Sequence, residues 1–242
     1  MALFGTRSLR SLFTHPGFAA GVRAIAGPAL GTVALGLVTG VAMARSGLPM
    51  GAVLAMSLLV FASASQLACL PMILAGAPLW VIVLTALMLN VRFVVFSAHW
   101  RRYFGLLPRP QRLGLAYLAG DPVYVRFMQR YPRRAPDQLA YFLGLALFNW
   151  AAWQVASLGG IFLADAIPPD WDLRFIGVLA LLGLAMPMIA DRPSWLVAAV
   201  AGAIGWMGQG WPFGLQVIAA IAAAMAAGHW AERRALRIAT TP

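Results

Sequence analysis

The chain has 242 residues, 62% hydrophobic and 10% charged, and its mean hydropathy is +0.80. Soluble domains carry about a quarter charged residues, so this composition argues against a secreted, nucleic-acid-bound or ordinary cytosolic protein and for a polytopic membrane protein. The formal net charge of +11 comes from 18 Arg, with no Lys, against seven acids. These arginines sit mostly between and beside apolar segments, as in cytoplasmic loops facing anionic lipid. No nucleic-acid partner is expected.

Residues 1–17 read as an N-terminal tail. Arg7 and Arg10 make a basic start, but His15, Pro16 and Arg23 interrupt the stretch beyond it, so no cleavable signal is expected. Residues 18–44 are apolar but broken by Arg23, Gly27, Pro28 and Gly31, which suits a re-entrant or broken pair of half-helices. Gly27/Gly31 and Gly36/Gly40 have the small-xxx-small spacing that lets helices approach. Residues 51–75 form the next apolar segment, and 79–99 a strong span. From Arg101 to Asp137 there are eight Arg against Asp121 and Asp137. Within it, 113–119 is apolar, Gly120-Asp121-Pro122 is a break, and Arg126, Arg130 and Arg134 recur opposite Val123, Phe127 and Tyr131. That pattern predicts an amphipathic helix near the interface, as the return limb of a re-entrant hairpin.

Residues 138–164 form a long span, followed by Asp165, Asp170 and Asp172. Segments 173–190, 194–209 and 213–230 come next, with Trp195, Trp206, Trp211 and Trp230 toward their ends as interface anchors. The expected fold is all-α and polytopic, with six full spans plus broken or re-entrant helices. One transmembrane domain covers 18–230, and 231–242 is a cytoplasmic tail. Counting charges puts Arg101–Arg134, Arg233–Arg237 and Arg45 inside, and a broken 18–44 returns the N-terminus there too.

Polar residues inside apolar segments are the site candidates, because lipid offers them no partners. Ser63, Ser65 and Gln66 read either as substrate contacts on a broken helix or as helix–helix glue. Asn90 and Arg92 read as a carboxylate receiver, or as an arginine that snorkels or pairs internally. Asp121 can pair with Arg, meet an ammonium or change protonation during transport; a loop carboxylate held by arginines is the plainer reading. Asn149 and Gln154 either line a pathway or tie helices together. His99 is read as an interface residue and Cys69 as a small core residue, since a lone cysteine forms no intrachain disulfide or Cys-rich metal site. No nucleotide, metal, nucleophile or paired-carboxylate motif is present, so neither catalysis nor a cofactor is expected, nor any ATP hydrolysis by this chain.

At Met56-Ser-Leu-Leu-Val-Phe-Ala-Ser-Ala-Ser-Gln66 the sequence resembles the AzlC family, the larger subunit of branched-chain amino acid exporters. Ser63 takes the place of a glycine. Leu89-Asn90-Val91-Arg92 is a second match, with Phe93 where members usually have His. Ala119-Gly120-Asp121-Pro122 is a third, with Gly120 and Pro122 as departures. The resemblance implies an inner-membrane permease exporting valine, leucine, isoleucine or a similar apolar amino acid such as methionine. It also implies a small AzlD-like membrane subunit as partner; nothing in the sequence supports an ATPase partner. On this reading a zwitterionic substrate needs both charges paired. Arg92 and Asn90 meet its carboxylate, Ser63, Ser65 and Gln66 its ammonium, and Asp121 is the proton-coupling candidate. Export of another small amphipathic metabolite and a non-transporting membrane scaffold remain the alternatives.

Overall fold

The structure, a computed structural model, describes residues 9–166, 189, 192–212 and 215–240. The expected span over 173–190, with Asp170 and Asp172, lies outside them. Every described regular element is helical. In chain order these are α1 (Leu9–Phe13), α2 (Pro16–Ala44), α3 (Met50–Leu59), α4 (Ser63–Leu74), α5 (Leu79–Phe104), α6 (Arg109–Leu118), α7 (Asp121–Arg130), α8 (Gln138–Phe162), the single 3₁₀ turn Ala164–Ala166, α9 (Arg192–Met207) and α10 (Leu215–Thr240). Helices α2, α5 and α8 are long and apolar enough to cross a membrane. Helices α3 and α4, Pro193–Met207 of α9 and Leu215–Ala231 of α10 are shorter apolar helices. The protein is therefore an all-helical polytopic membrane protein.

The chain divides into two compact units, Met1–Ser63 with Arg92–Gly177, and Ala64–Val91 with Val178–Pro242. Each is taken by itself.

In the first unit α2 and α8 form the most extensive helix pair. Glycine makes it possible. A Cβ at Gly21 would run into the Tyr141 carbonyl, one at Gly40 into that of Ser157, one at Gly144 into that of Phe18, and one at Gly160 into that of Leu37. The pairing order, early with early and late with late, makes the two helices parallel. Gly36 also faces α8, whereas Gly27 and Gly31 have no neighbour within 4 Å among the described residues. Only one of the two small-residue pairs expected to pack within the fold faces α8.

The expected break in 18–44 is absent: α2 is one helix of 29 residues, with Pro28 inside it. Packed backbone along its length carries it past the proline, as neighbouring helices do for prolines in membranes. The start is fixed by His15, whose Nδ1 accepts from the Gly17 N–H at 3.0 Å, and by Pro16 in the first turn. At the far end, an Arg45 Nη2 donates to the Ala164 carbonyl at 2.8 Å. Parallel pairing puts the start of α2 with the start of α8, at the arginine-rich end of this unit. Arg45 lies at the opposite end, which corrects its expected place beside the arginine-rich stretch.

The break instead falls in 51–75, which is not one full span. Helix α3 ends at Leu59, Val60–Ala62 carries no helix, and α4 starts at Ser63. The hairpin expected around 113–134 is present as α6 and α7, separated by Ala119-Gly120. At ten residues each, α3, α6 and α7 are about 15 Å long, half of a roughly 30 Å hydrocarbon layer.

Aromatic contacts fix the register of α5, α7 and α8. Phe96 stacks on Tyr124 at 4.0 Å, Trp100 meets Phe127 edge-on at 4.9 Å, and Tyr103 Oη donates to the Tyr131 carbonyl at 2.6 Å. The second half of α5 thus runs parallel to α7. Phe127 meets Phe142 at 6.0 Å and Tyr131 meets Tyr141 at 5.4 Å, so both run antiparallel to α8. Val123 and Phe127 are fully buried while Arg126 and Arg130 stay outside, the expected amphipathic pattern. The helix ends before Arg134, whose Nε donates to the Arg102 carbonyl.

In the second unit, Met72, Ala77 and Val81 pack with Ile82, Leu215 and Ile218. Gly76, at φ 66°, makes the turn between α4 and α5. Helices α9 and α10 pair, with Gly228 against Val197. Trp195, Trp206 and Trp230 are more than half exposed, as membrane-facing anchors are. Helix α10 runs on into the expected tail, where Arg234 lies over the Trp230 ring at 4.2 Å.

Candidate functional site

Two interruptions meet near the middle of α8. One is the end of α3, the other the tip between α6 and α7. A helix end frees carbonyls that lipid cannot satisfy. Here the Ser57 carbonyl accepts from Gln154 Nε2 at 3.4 Å, and the Leu58 carbonyl accepts from Tyr117 Oη. Tyr117 in turn accepts from Trp150 Nε1 at 3.1 Å. Phe61, within the break, meets Trp153 edge-on at 5.6 Å. Gly120, at the hairpin tip, faces both Phe61 and the Asn149 side-chain amide. Thus α3 comes halfway along α8 from one end, α6 rises to the same level from the other, and α7 goes back down.

Asp121 is the first residue of α7, a position where the helix dipole favours negative charge. Its Oδ2 lies 3.2 Å from an Arg92 Nη2, while Oδ1 has no hydrogen-bond partner among the described residues. Arg92 stands midway along apolar α5, with its guanidinium carbon 5.2 Å from the Phe93 ring centre. The side chains are 39% exposed at Arg92 and 21% at Asp121 among the described residues, while Asp121 Oδ1 and Arg92 Nε are buried. The internal pairing read for Arg92 is therefore present, with Asp121 as partner.

Asn149 is fully buried and its Oδ1 accepts from Thr32 Oγ1 at 2.8 Å, which ties α8 to α2. Ser57 and Ser157 share a hydrogen bond of 2.8 Å one turn beyond Gln154. These contacts are the glue read as the alternative for Asn149 and Gln154. Gln154 keeps one buried oxygen, Oε1, without a partner among the described residues.

The other candidates make different contacts. Ser63 opens α4 and is partly exposed. In the second unit, Ser65 and Gln66 are buried, and Ser65 Oγ accepts from Asn90 Nδ2 at 2.8 Å. Asn90 Oδ1 has no partner among the described residues. Consecutive helix positions differ by about 100°, so Asn90 and Arg92 leave α5 on faces about 160° apart. That geometry separates their tasks: one bonds Ser65, the other Asp121. Cys69 is buried, with Sγ 3.8 Å from the Ile82 carbonyl, as a core residue should be. His99 bonds Tyr124 through Nδ1.

Sequence reading missed Tyr117, Phe61 and Trp150. The available signal for Tyr117 was a hydroxyl in the last turn of a short apolar stretch near a break.

At the arginine-rich end a second ion pair closes the loop between α7 and α8. Tyr131 Oη donates to Asp137 Oδ2 at 2.7 Å, and an Arg130 Nη2 lies 3.9 Å from the same oxygen. Burial, and then the bond to Asp137, push the Tyr131 phenol up to about 12. Arg130 also covers the Tyr141 ring at 4.8 Å.

The sequence pattern described as AzlC protein matches residues 28–167, which hold α3, α5, the α6–α7 hairpin and α8. This chain belongs to the AzlC family. The chain is also similar to the inner membrane protein YgaZ of Escherichia coli strain K12, 26% identical over 137 residues, or 55% of this chain and 54% of YgaZ. The chain thus matches about half the length of that relative. No solved structure matches. The AzlC match includes the whole Arg92–Asp121 arrangement and stops short of α9 and α10.

Proposed function

We propose that this AzlC protein is a permease subunit of a bacterial inner membrane, exporting valine, leucine, isoleucine or a similar apolar amino acid such as methionine by alternating access. One observation carries the reading. A guanidinium midway along an apolar helix is paired with a single carboxylate at the start of a half-helix, and both stay partly exposed. Charge in a span is costly and marks a pathway by default. Broken helices at mid-depth are how transporters present charged ends to small ions and zwitterions.

In this mechanism Arg92 exchanges Asp121 for the carboxylate of the amino acid. Asp121, released, meets the ammonium or takes a proton. The carbonyls of Ser57 and Leu58, held by Gln154 and Tyr117, are the nearby acceptors that a small rearrangement frees. Ser63, Ser65, Gln66 and Asn90 remain candidate substrate contacts, each tested by its own alanine variant. A substrate or proton gradient drives the cycle, and a small AzlD-like subunit completes the transporter.

The test is efflux from cells loaded with a valine-containing dipeptide, expressing the chain with and without an AzlD-like partner. Faster valine release only with both proteins supports the reading. No change, with both proteins intact in the membrane, overturns it.

A further inference from the structure

A cavity of about 240 Å³ opens in the first unit, away from the Arg92–Asp121 pair. Its walls include Ser97, Trp100 and Arg101 of α5, Arg112 and Leu113 of α6, and Phe142 of α8. Two of the lining residues also carry N–H donors closed off from the cavity by their neighbours, Trp100 Nε1 and Arg112 Nε; neither has an acceptor among the described residues, and a ligand reaches them only by shifting those neighbours. Trp100 itself is only 7% exposed. A tryptophan ring and a guanidinium can donate but not accept. The described ion pairs use Arg92 and Arg130, so neither Arg101 nor Arg112 has a carboxylate partner among the described residues. The unmet need is for an acceptor-rich anion.

Depth and surroundings narrow the anion. Phe142 is in the second turn of α8, about 6 Å from its start. That is the level of headgroups at the arginine-rich end. The rest of α6 turns apolar side chains outward, with Leu113 72% and Tyr117 40% exposed. A ligand seated here has a cationic floor and an apolar flank beside it. Basic pockets between helices on the cytoplasmic side recognise lipid phosphates in this way.

We propose that this cavity binds the phosphate of an anionic phospholipid, held by Arg101, Arg112 and the Trp100 N–H, with an acyl chain along Leu113. The site is independent of which solute the protein carries.

The protein, purified in a mild non-ionic detergent and stripped of lipid, is titrated with phosphatidylglycerol, phosphatidylcholine or inorganic phosphate. Melting temperature and the mass of retained lipid are followed. Phosphatidylglycerol alone should raise the melting temperature and stay bound. Arg112→Gln and Arg101→Gln should each weaken it about tenfold, the loss of one charge-assisted hydrogen bond. Arg126→Gln, exposed on α7, should leave it unchanged. Should Arg112→Gln not fold, Trp100→Phe keeps a ring, removes the donor, and should weaken binding severalfold. Equal effects of phosphatidylcholine, no effect of phosphatidylglycerol, or wild-type affinity in Arg112→Gln (in Trp100→Phe where that variant does not fold) would overturn the site. An equal effect of inorganic phosphate would overturn the lipid and leave a free-anion site.

Discussion

Arg92 and Asp121 hold each other at 3.2 Å, one from midway along a long apolar helix and the other from the first position of a half-helix. Removing one partner leaves the other's charge uncompensated. A fully buried broken pair costs roughly 3–5 kcal/mol; with Arg92 39% exposed, screening lowers this to about 1–2 kcal/mol. Arg92→Gln should therefore reduce thermal stability by that amount and abolish export. The double variant Arg92→Gln/Asp121→Asn should recover stability but not export. Recovery of export by the double variant would show that the pair is structural alone. In Asp121→Asn, export should lose its dependence on pH.

Tyr117 closes the end of α3 by donating to the Leu58 carbonyl. Tyr117→Phe leaves that exposed acceptor without its donor, at a cost of about 0.5–1.5 kcal/mol, the net worth of one hydrogen bond. The expected result is a lower melting temperature and, in export assays, a raised KM from a misplaced break. An unchanged KM would separate the break from substrate binding.

The glycines of α2 divide into two groups that sequence spacing does not distinguish. Gly40 meets the Ser157 backbone, whereas Gly31 has nothing near it among the described residues. Gly40→Ala should destabilise by at least 1–3 kcal/mol, roughly the overpacking range. Gly31→Ala should be neutral, or stabilise by roughly 0.5–1 kcal/mol through helix propensity. Thermal melts of the two variants side by side decide this.

Tyr131 carries a pH signature. Its phenol titrates at about 12 in the folded protein because it is buried and donates to Asp137. The ordinary value is near 10, so the folded state holds the proton more tightly. The resulting stability is complete below about pH 10 and is lost as pH rises through 12. Tyr131→Phe should remove that part of the alkaline slope, measured as melting temperature between about pH 9 and 12.

Parallel pairing of α2 and α8 puts Thr14 at the arginine-rich end and Ser46 at the other, and the positive-inside rule then gives the sidedness to test. With Cys69 replaced by Ala, Ser46→Cys should react with an impermeant maleimide added to intact cells, and Thr14→Cys only after lysis. The reverse pattern, or labelling of both from one side, would mean that α2 does not cross once in this direction.

Much of this was legible locally. The apolar runs at 79–99 and 138–164 became α5 and α8. The alternation of Arg126 and Arg130 with Val123 and Phe127 became α7, and Gly120-Asp121-Pro122 marked its start. The candidate residues Arg92 and Asp121 stood out because charge inside apolar sequence is expensive. Two features were not legible, the continuity of α2 and the exact place of the break beside Ser63, and for one physical reason. Pro28 argues locally for a break, yet α2 is continuous because α8 supports it from more than a hundred residues away. Nothing in Val60-Phe61-Ala62 forbids a helix. The interruption is stabilised by Gln154 and Tyr117, donors that only the folded chain brings to Ser57 and Leu58.

The close approach of Gly40 to Ser157, and of Gly160 to Leu37, also fixes an order of events during synthesis. About 120 residues separate the two glycines, so at translation rates of 5–20 residues per second α2 waits roughly 6–24 s for its mate. Through that interval its bare glycine face must be shielded by lipid, by the insertion machinery or by transient company from later segments. A ribosome stalled between Ala44 and Gln138 would strand a membrane-inserted fragment whose best docking surface has nothing to dock against, and such fragments are natural prey for membrane proteases.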